Sequence, residues 1–198
     1  MIRPRGKPSF PEEDPDFLYS EAELEQMKAS IRSFRQSGLL DPKRGDGFVF
    51  GVLKRDVDGK DVAGGVVVVD VERNAALVKE AAGFGCTLHR AVDDVLGAWA
   101  GRGGSVVEVA EEILSCGFGA VLTSGGPGNA PDNLPVLAQF VAAVAGKVEV
   151  IIGGGVRTAN KNALVDMFGH MENVWLHSSC LRRGMIDERE LEGLLDGV

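Results

Sequence analysis

Short apolar runs alternate along the chain with amphipathic stretches that carry helix-start and helix-stop residues. The clearest unit spans residues 20–37. Ser20 and Glu23 have the spacing of a capping box, in which each side chain satisfies an orphan backbone N–H of the first turn. Leu24, Met27, Ile31 and Phe34 then recur on one helical face, and Gly38 stands where a left-handed C-terminal cap is wanted. The same order returns over 105–117: Ser105 with Glu108, then Val109, Ile113 and Leu114, then Gly117. Further helices are predicted near 71–82, 133–145, 158–168 and 187–195.

Six strand candidates lie between them: Met1–Arg5, Phe48–Leu53, Cys86–Ala91, Phe118–Thr123, Val148–Ile152 and Val174–His177. Strands buried on both faces of a parallel sheet read this way, as short apolar runs without alternation. Strict β-α alternation predicts right-handed crossovers and an α/β fold. The order fits a doubly wound sheet or most of an eight-stranded barrel. Residues 7–15, rich in proline and acid, and residues 54–65, with Asp58-Gly59 as a turn signal, read as loops. Val66–Val69 reads as a small extra strand or a packed lead-in to the next helix.

Composition places this pattern in one domain of 198 residues. A net charge of −8, from 21 basic and 29 acidic residues, argues against a nucleic-acid partner. No apolar run approaches the roughly 18 residues of a membrane helix. The N-terminus also lacks the apolar stretch of a secretory signal. The expectation is therefore a cytosolic protein with no membrane partner. Cys86, Cys116 and Cys180 are far apart and form no CxxC pair, which fits a reducing compartment.

In parallel α/β folds, ligands bind at the C-terminal ends of strands. Arg3 and Arg5 end the first strand candidate, where a guanidinium can fork onto a carboxylate or phosphate; a surface ion pair is the competing reading. His89 follows Thr87 and Leu88, with Arg90, Asp93 and Asp94 beside it. It is an acid/base candidate, against the alternative of a satisfied core histidine. The glycines after the fourth and fifth strand candidates read as an anion cradle formed by Ser124, Gly125, Gly153, Gly154 and Gly155. Asp132 and Thr158 are the expected caps of the helices that follow; tight turns without a ligand are the alternative. His177 and Cys180 are a soft-ligand pair, although HxxC alone is no metal motif. Walker A, GxGxxG, GxSxG and HExxH patterns are absent from the sequence.

A set of short motifs occurs in fixed order: Met-Ile-Arg-Pro-Arg-Gly at 1–6, Asp16-Phe17-Leu18-Tyr19-Ser20, Asp46-Gly47-Phe48-Val49-Phe50-Gly51, Thr87-Leu88-His89-Arg90-Ala91, Leu122-Thr123-Ser124-Gly125, Gly153-Gly154-Gly155 and His177-Ser178-Ser179. This set resembles the CutC family, described as copper homeostasis proteins, along nearly the whole chain. The resemblance implies a TIM-like (β/α) barrel and a homo-oligomer located in the cytoplasm and also the nucleus. It further implies a role in copper handling through Cu(I). Carried onto this chain, it points to Arg3, Arg5, His89, Arg90, Asp93, Ser124 and His177 at the rim.

The sequence departs from the family pattern. Met1 opens on what should be the third strand, residues 7–15 are an insertion, and Val92 replaces an aromatic residue. The expectation is a single, incomplete barrel over 1–198 that lacks the first two βα units, with truncation as the reason. Six strands do not close an eight-stranded barrel. Two other functions compete with copper binding. One is a TIM-barrel enzyme acting on a small phosphate- or carboxylate-bearing metabolite; the other is an inactive remnant.

Overall fold

The computed structural model describes residues 1–7, 9, 16–56, 66–100 and 104–196. Helix α1, Glu21–Gln36, starts at the expected capping box: Ser20 Oγ accepts from Glu23 N (3.3 Å), and Glu23 Oε2 accepts from Ser20 N (2.8 Å). Leu24, Met27 and Ile31 are buried as its periodicity predicts, whereas Phe34 is half exposed. Strands β1, Gly47–Phe50, β2, Leu53–Asp56, and β3, Val66–Val69, follow. Next come α2, Val71–Ala81; β4, Gly85–Leu88; α3, Ala91–Ala100; α4, Val106–Cys116; and β5, Ala120–Thr123. The chain continues with α5, Leu134–Val144; β6, Glu149–Gly153; α6, Lys161–Phe168; and β7, Val174–His177. It ends with a small hairpin, β8, Leu181–Arg182, and β9, Met185–Ile186, and then α7, Glu188–Leu195.

The central sheet has five parallel strands in the order β1-β4-β5-β6-β7, which is also their order along the chain. Each step is a crossover through helix, as strict alternation requires. The helices follow the same order, with α1 packed on α2, α2 on α4 and α4 on α5. One face of the sheet, carrying Phe48, Phe50, Leu88, Val121, Val150 and Ile152, is buried in the main core. The other face, carrying Val49, Thr87, Leu122 and Ile151, is only half buried. Among the described residues, no helix is long and apolar enough to cross a membrane.

Three expectations change. Met1–Arg5 is not a strand, although Ile2 N donates to Val49 O (2.8 Å) and so runs beside β1. The chain after β1 turns into an antiparallel hairpin, β2 with β3, so 53–56 is strand despite its charges. Residues 57–65 of that expected loop, and most of 7–15, lie outside the described residues. Buried Asn74 ties the hairpin to α2: its Oδ1 accepts from Val52 N (3.0 Å), and its Nδ2 donates to Val52 O (2.7 Å) and Asp70 O (2.8 Å). Finally, 91–100 is helix. Ala91, Val92, Val95 and Leu96 are buried at helical spacing, and Asp93 and Asp94 occupy the first turn, where the helix dipole favours acids.

Candidate functional site

The ends of β4 and β5 are joined by one buried carboxylate. Asp93, in the first turn of α3, takes Arg90 Nε on Oδ2 (2.6 Å) and Thr123 Oγ1 on Oδ1 (2.6 Å). It also accepts from Ser124 N (2.9 Å), and Ser124 Oγ lies 2.8 Å from its Oδ2. Arg90, locked by Asp93, donates through Nη2 to Ser124 Oγ (2.7 Å). With these contacts around both of its oxygens, Asp93 is placed to hold Arg90 and the β5 loop.

The two glycine loops meet. A Cβ at Gly154, whose φ is +109°, would lie 3.0 Å from Ser124 Cβ and 3.1 Å from Arg90 Cζ. Ala130 N donates to Gly154 O (2.9 Å), which fastens one loop to the other. The expected row of free backbone donors is different, however. Ser124 N is spent on Asp93, and Gly125 N on Thr123 Oγ1 (2.8 Å). The caps differ as well. Asn133 precedes α5 and Asn160 precedes α6, while Asp132 Oδ2 accepts from Asn129 N and Thr158 N donates to Glu190.

Beside these loops lies a cleft of about 210 Å³ lined by Arg90, Gly153–Gly155, Arg157, His177 and Ser178. Arg157 is oriented by Val156 O (2.9 Å) and Ser178 Oγ (2.8 Å), both on Nη1, so its other nitrogens stay available. Two guanidiniums thus line a small recess of a protein whose net charge is −8, and of the two it is Arg157 that has no carboxylate partner among the described residues, since Arg90 is paired with Asp93. A local positive field of this kind suits a phosphate or carboxylate.

His89 precedes Arg90 and packs against Phe17. Its N donates to Phe50 O (3.1 Å), which continues the β1–β4 pairing beyond the strand ends. The ring is buried against Phe17, at 4.7 Å between centroids. Ala91 N donates to Nδ1 (3.3 Å), which leaves the proton of a neutral imidazole on Nε2. Burial drives its pKa down from 6.5 to about 4, and the Arg3 charge pushes the same way; Asp16 and Asp93 oppose this and lose.

Arg3 and Arg5 meet internal carboxylates. Arg3 Nη2 contacts both oxygens of Asp16 (2.7 and 2.6 Å), with its guanidinium 5.1 Å from the Phe17 ring centroid. Arg5 donates to Glu23 Oε1 (2.7 Å) and Leu18 O (2.7 Å) and lies over Tyr19. The ion-pair reading of these arginines therefore describes them better than a ligand fork, and Arg5 is tied to the start of α1.

The soft-ligand candidates are dispersed. His177 is exposed at the cleft, and Cys180 is half buried with Sγ 4.0 Å from Ser178 O. Cys86 and Cys116 are core residues, and burial lifts their thiols to about 11 and about 12. Among the described residues, no group of three or more His, Cys, Asp or Glu side chains is placed to hold a metal ion. The donor set present does not fit a built copper cage.

Sequence reasoning missed Arg157 and Ser178 as cleft residues, and Asp16, Phe17 and Tyr19 as the surroundings of His89. Arg157 had a usable signal, an arginine two residues beyond a triple glycine at a strand end. Asp16 stood in one of the motifs of the family resemblance, but nothing local named its partner, which lies 13 residues away.

The CutC family model matches residues 1–181. A CutC family protein of Sinorhizobium medicae is 32% identical over 180 residues, covering 91% of this chain and 59% of the relative. Proteins called copper homeostasis protein cutC homolog are 34% identical in Mus musculus and 33% in Homo sapiens. Each match covers 87% of this chain, and 52% and 51% of those proteins. The chain thus spans a little over half the length of these relatives. A crystal structure of a CutC protein from Streptococcus agalactiae superposes with a TM-score of 0.62 at 20% identity, over 88% of this chain and 69% of that one.

Proposed function

The chain belongs to the CutC family, and from that premise we propose that it serves copper homeostasis, the role in the names of its mouse and human relatives. Its own chemical task in this proposal is to bind a small phosphate- or carboxylate-bearing ligand between Arg90 and Arg157. The presence of two guanidiniums in the lining of a glycine-walled recess at the strand ends carries this reading. The five strands in chain order, with a helical row on one face and a half-buried apolar second face, support a (β/α) barrel in which that second face is the interior. Exposed Trp175, Leu176, Met185 and Ile186 support self-association. A cytoplasmic and nuclear location goes with the same proposal.

Orthophosphate-induced thermal stabilisation tests the anion site. Wild type is expected to gain stability with increasing orthophosphate. Arg157→Gln should bind about tenfold more weakly, since one charge-assisted hydrogen bond is lost. Gly154→Val should bind more weakly still: a β-branched residue at positive φ would press on Ser124 and the Arg90 guanidinium. Equal stabilisation of wild type and the folded variants would reduce the loops to turns.

Cu(I) binding is the second reading; it rests on the names of the mouse and human relatives, with His177 and Cys180, three residues apart after β7, as the candidate ligands. With Cys86 and Cys116 in the core, it depends on Cys180. Cu(I) titration under reducing conditions should then show at least a tenfold loss in Cys180→Ser. Unchanged affinity removes this chain's residues as the carrier.

A further inference from the structure

Among the described residues, two buried donors near the β1 and β4 ends have no acceptor, His89 Nε2 and the Tyr19 hydroxyl, and Arg3 reaches the Tyr19 phenol beside them. They belong to one neighbourhood. Arg3 and His89 both lie against the Phe17 ring, with the guanidinium carbon 5.1 Å and the imidazole centroid 4.7 Å from its centroid. The Arg3 charge also acts on both the Tyr19 phenol and the His89 imidazole. A buried donor without an acceptor forfeits its hydration for nothing, so two in one place call for something that accepts from them.

The cover over this neighbourhood is strained. Phe17 has φ +63°, a conformation that bulky residues rarely adopt. It is held there by Asp16 Oδ1 accepting from its N (3.0 Å) and by Leu53 N donating to its O (2.9 Å). Asp16 is in turn held by Arg3. Strain of this kind persists only where the surroundings fix it, and it concentrates at ligand sites.

We infer that Arg3, Tyr19 and His89 form a second subsite beneath Phe17 that accepts an uncharged oxygen, a carbonyl or hydroxyl, of the ligand. The charge balance selects that class. Asp16 already neutralises Arg3, and a buried neutral imidazole and a phenol add none, so a second anion would be buried without a counter-charge. His89 is the residue before Arg90, which lines the anion cleft, so the two sites are one residue apart along the chain. The inference rests on the anion-binding reading only for the ligand's other end.

Calorimetric titration with three probes tests it: orthophosphate, dihydroxyacetone, and dihydroxyacetone phosphate, which joins a neutral ketone and hydroxyl to a phosphate. The variant is Tyr19→Phe, which removes only a hydroxyl that donates to no acceptor and should leave urea stability equal or higher. On wild type, dihydroxyacetone phosphate should bind at least tenfold tighter than orthophosphate. In Tyr19→Phe that advantage should vanish while orthophosphate affinity stays the same. An advantage that is absent in wild type, or intact in the variant, would make the pocket a water site and overturn the inference. If orthophosphate fails to bind, the anion reading falls alone. Dihydroxyacetone binding that is lost in Tyr19→Phe would then still sustain the subsite, and its absence from wild type would end it.

Discussion

Asp93→Ala is expected to remove about 3–5 kcal/mol of folding stability, the usual cost of taking one partner from a buried charge pair. Asp93 is 4% exposed, and its four interactions join α3, Arg90 and both residues at the end of β5. Alanine would leave Ser124 N and Thr123 Oγ1 without their acceptor inside the fold, and the Arg90 guanidinium without its counter-charge. Arg90 is 43% exposed on its side chain, so water can rescue that group in part. The buried amide and hydroxyl have no such escape, and they carry most of the cost. Asp93→Asn keeps an acceptor for Ser124 N and Thr123 but turns a donor toward Arg90. It should therefore cost less than alanine and still weaken orthophosphate binding, because Arg90 loses its orientation. Urea unfolding checks the first statement, and a loss below about 1 kcal/mol for alanine would contradict the network as described. Phosphate affinity in the folded asparagine variant checks the second, and it separates positioning of Arg90 from simple stability.

What the chain discloses in advance, and what it hides, follows the range of each interaction. The β5, β6 and β7 runs and the capping box of α1 are legible because they depend on residues within a few positions of one another. Helix α3 is missed because Ala91 reads as the end of the Cys86–Ala91 strand run, and only the burial of Val92, Val95 and Leu96 with it reveals the helical period. Strand β2 is hidden by Lys54, Arg55 and Asp56, whose charges suit a loop; the strand exists because Val66–Val69 supplies an apolar partner. In the candidate site, the glycine loops are legible as turns at strand ends, and their meeting follows from consecutive strands. Their chemistry is not. The contacts of Asp93 with Ser124 and of Arg157 with Ser178 span 31 and 21 residues, and no local spacing announces them. Arg3 and Arg5 show the same limit. A guanidinium at a strand end looks free until Asp16 and Glu23 are seen to fold back onto it.

Acid should destabilise the protein through His89. Its pKa falls from 6.5 to about 4 on folding, chiefly because burial disfavours the imidazolium. A lowered histidine pKa means that the unfolded chain binds the proton more tightly than the fold does. The stabilising contribution is therefore complete above pH 6.5 and is lost as the pH falls toward 4. At about 1.4 kcal/mol per pKa unit, the full effect is on the order of 3 kcal/mol. Carboxylates also titrate at the acid end of this window, so the measurement must be a difference between two proteins. Wild type and His89→Asn are unfolded in urea, each at about pH 7 and about pH 4.5. Between those conditions wild type should lose roughly 2 kcal/mol more stability than His89→Asn loses. Asparagine places an acceptor where Nδ1 meets Ala91 N and does not titrate. Parallel losses in the two proteins would mean that His89 is solvated or paired well enough to charge inside the fold. A neutral His89 at neutral pH has a defined chemical meaning. With Nδ1 occupied by Ala91 N, the ring presents a single N–H donor on Nε2. It can polarise a ligand oxygen by hydrogen bonding, but it holds no imidazolium proton to transfer. Any activity that rests on His89 as a neutral donor should accordingly persist through pH 6.5 and fall only as the pH approaches 4, where the imidazole takes up a proton inside the fold.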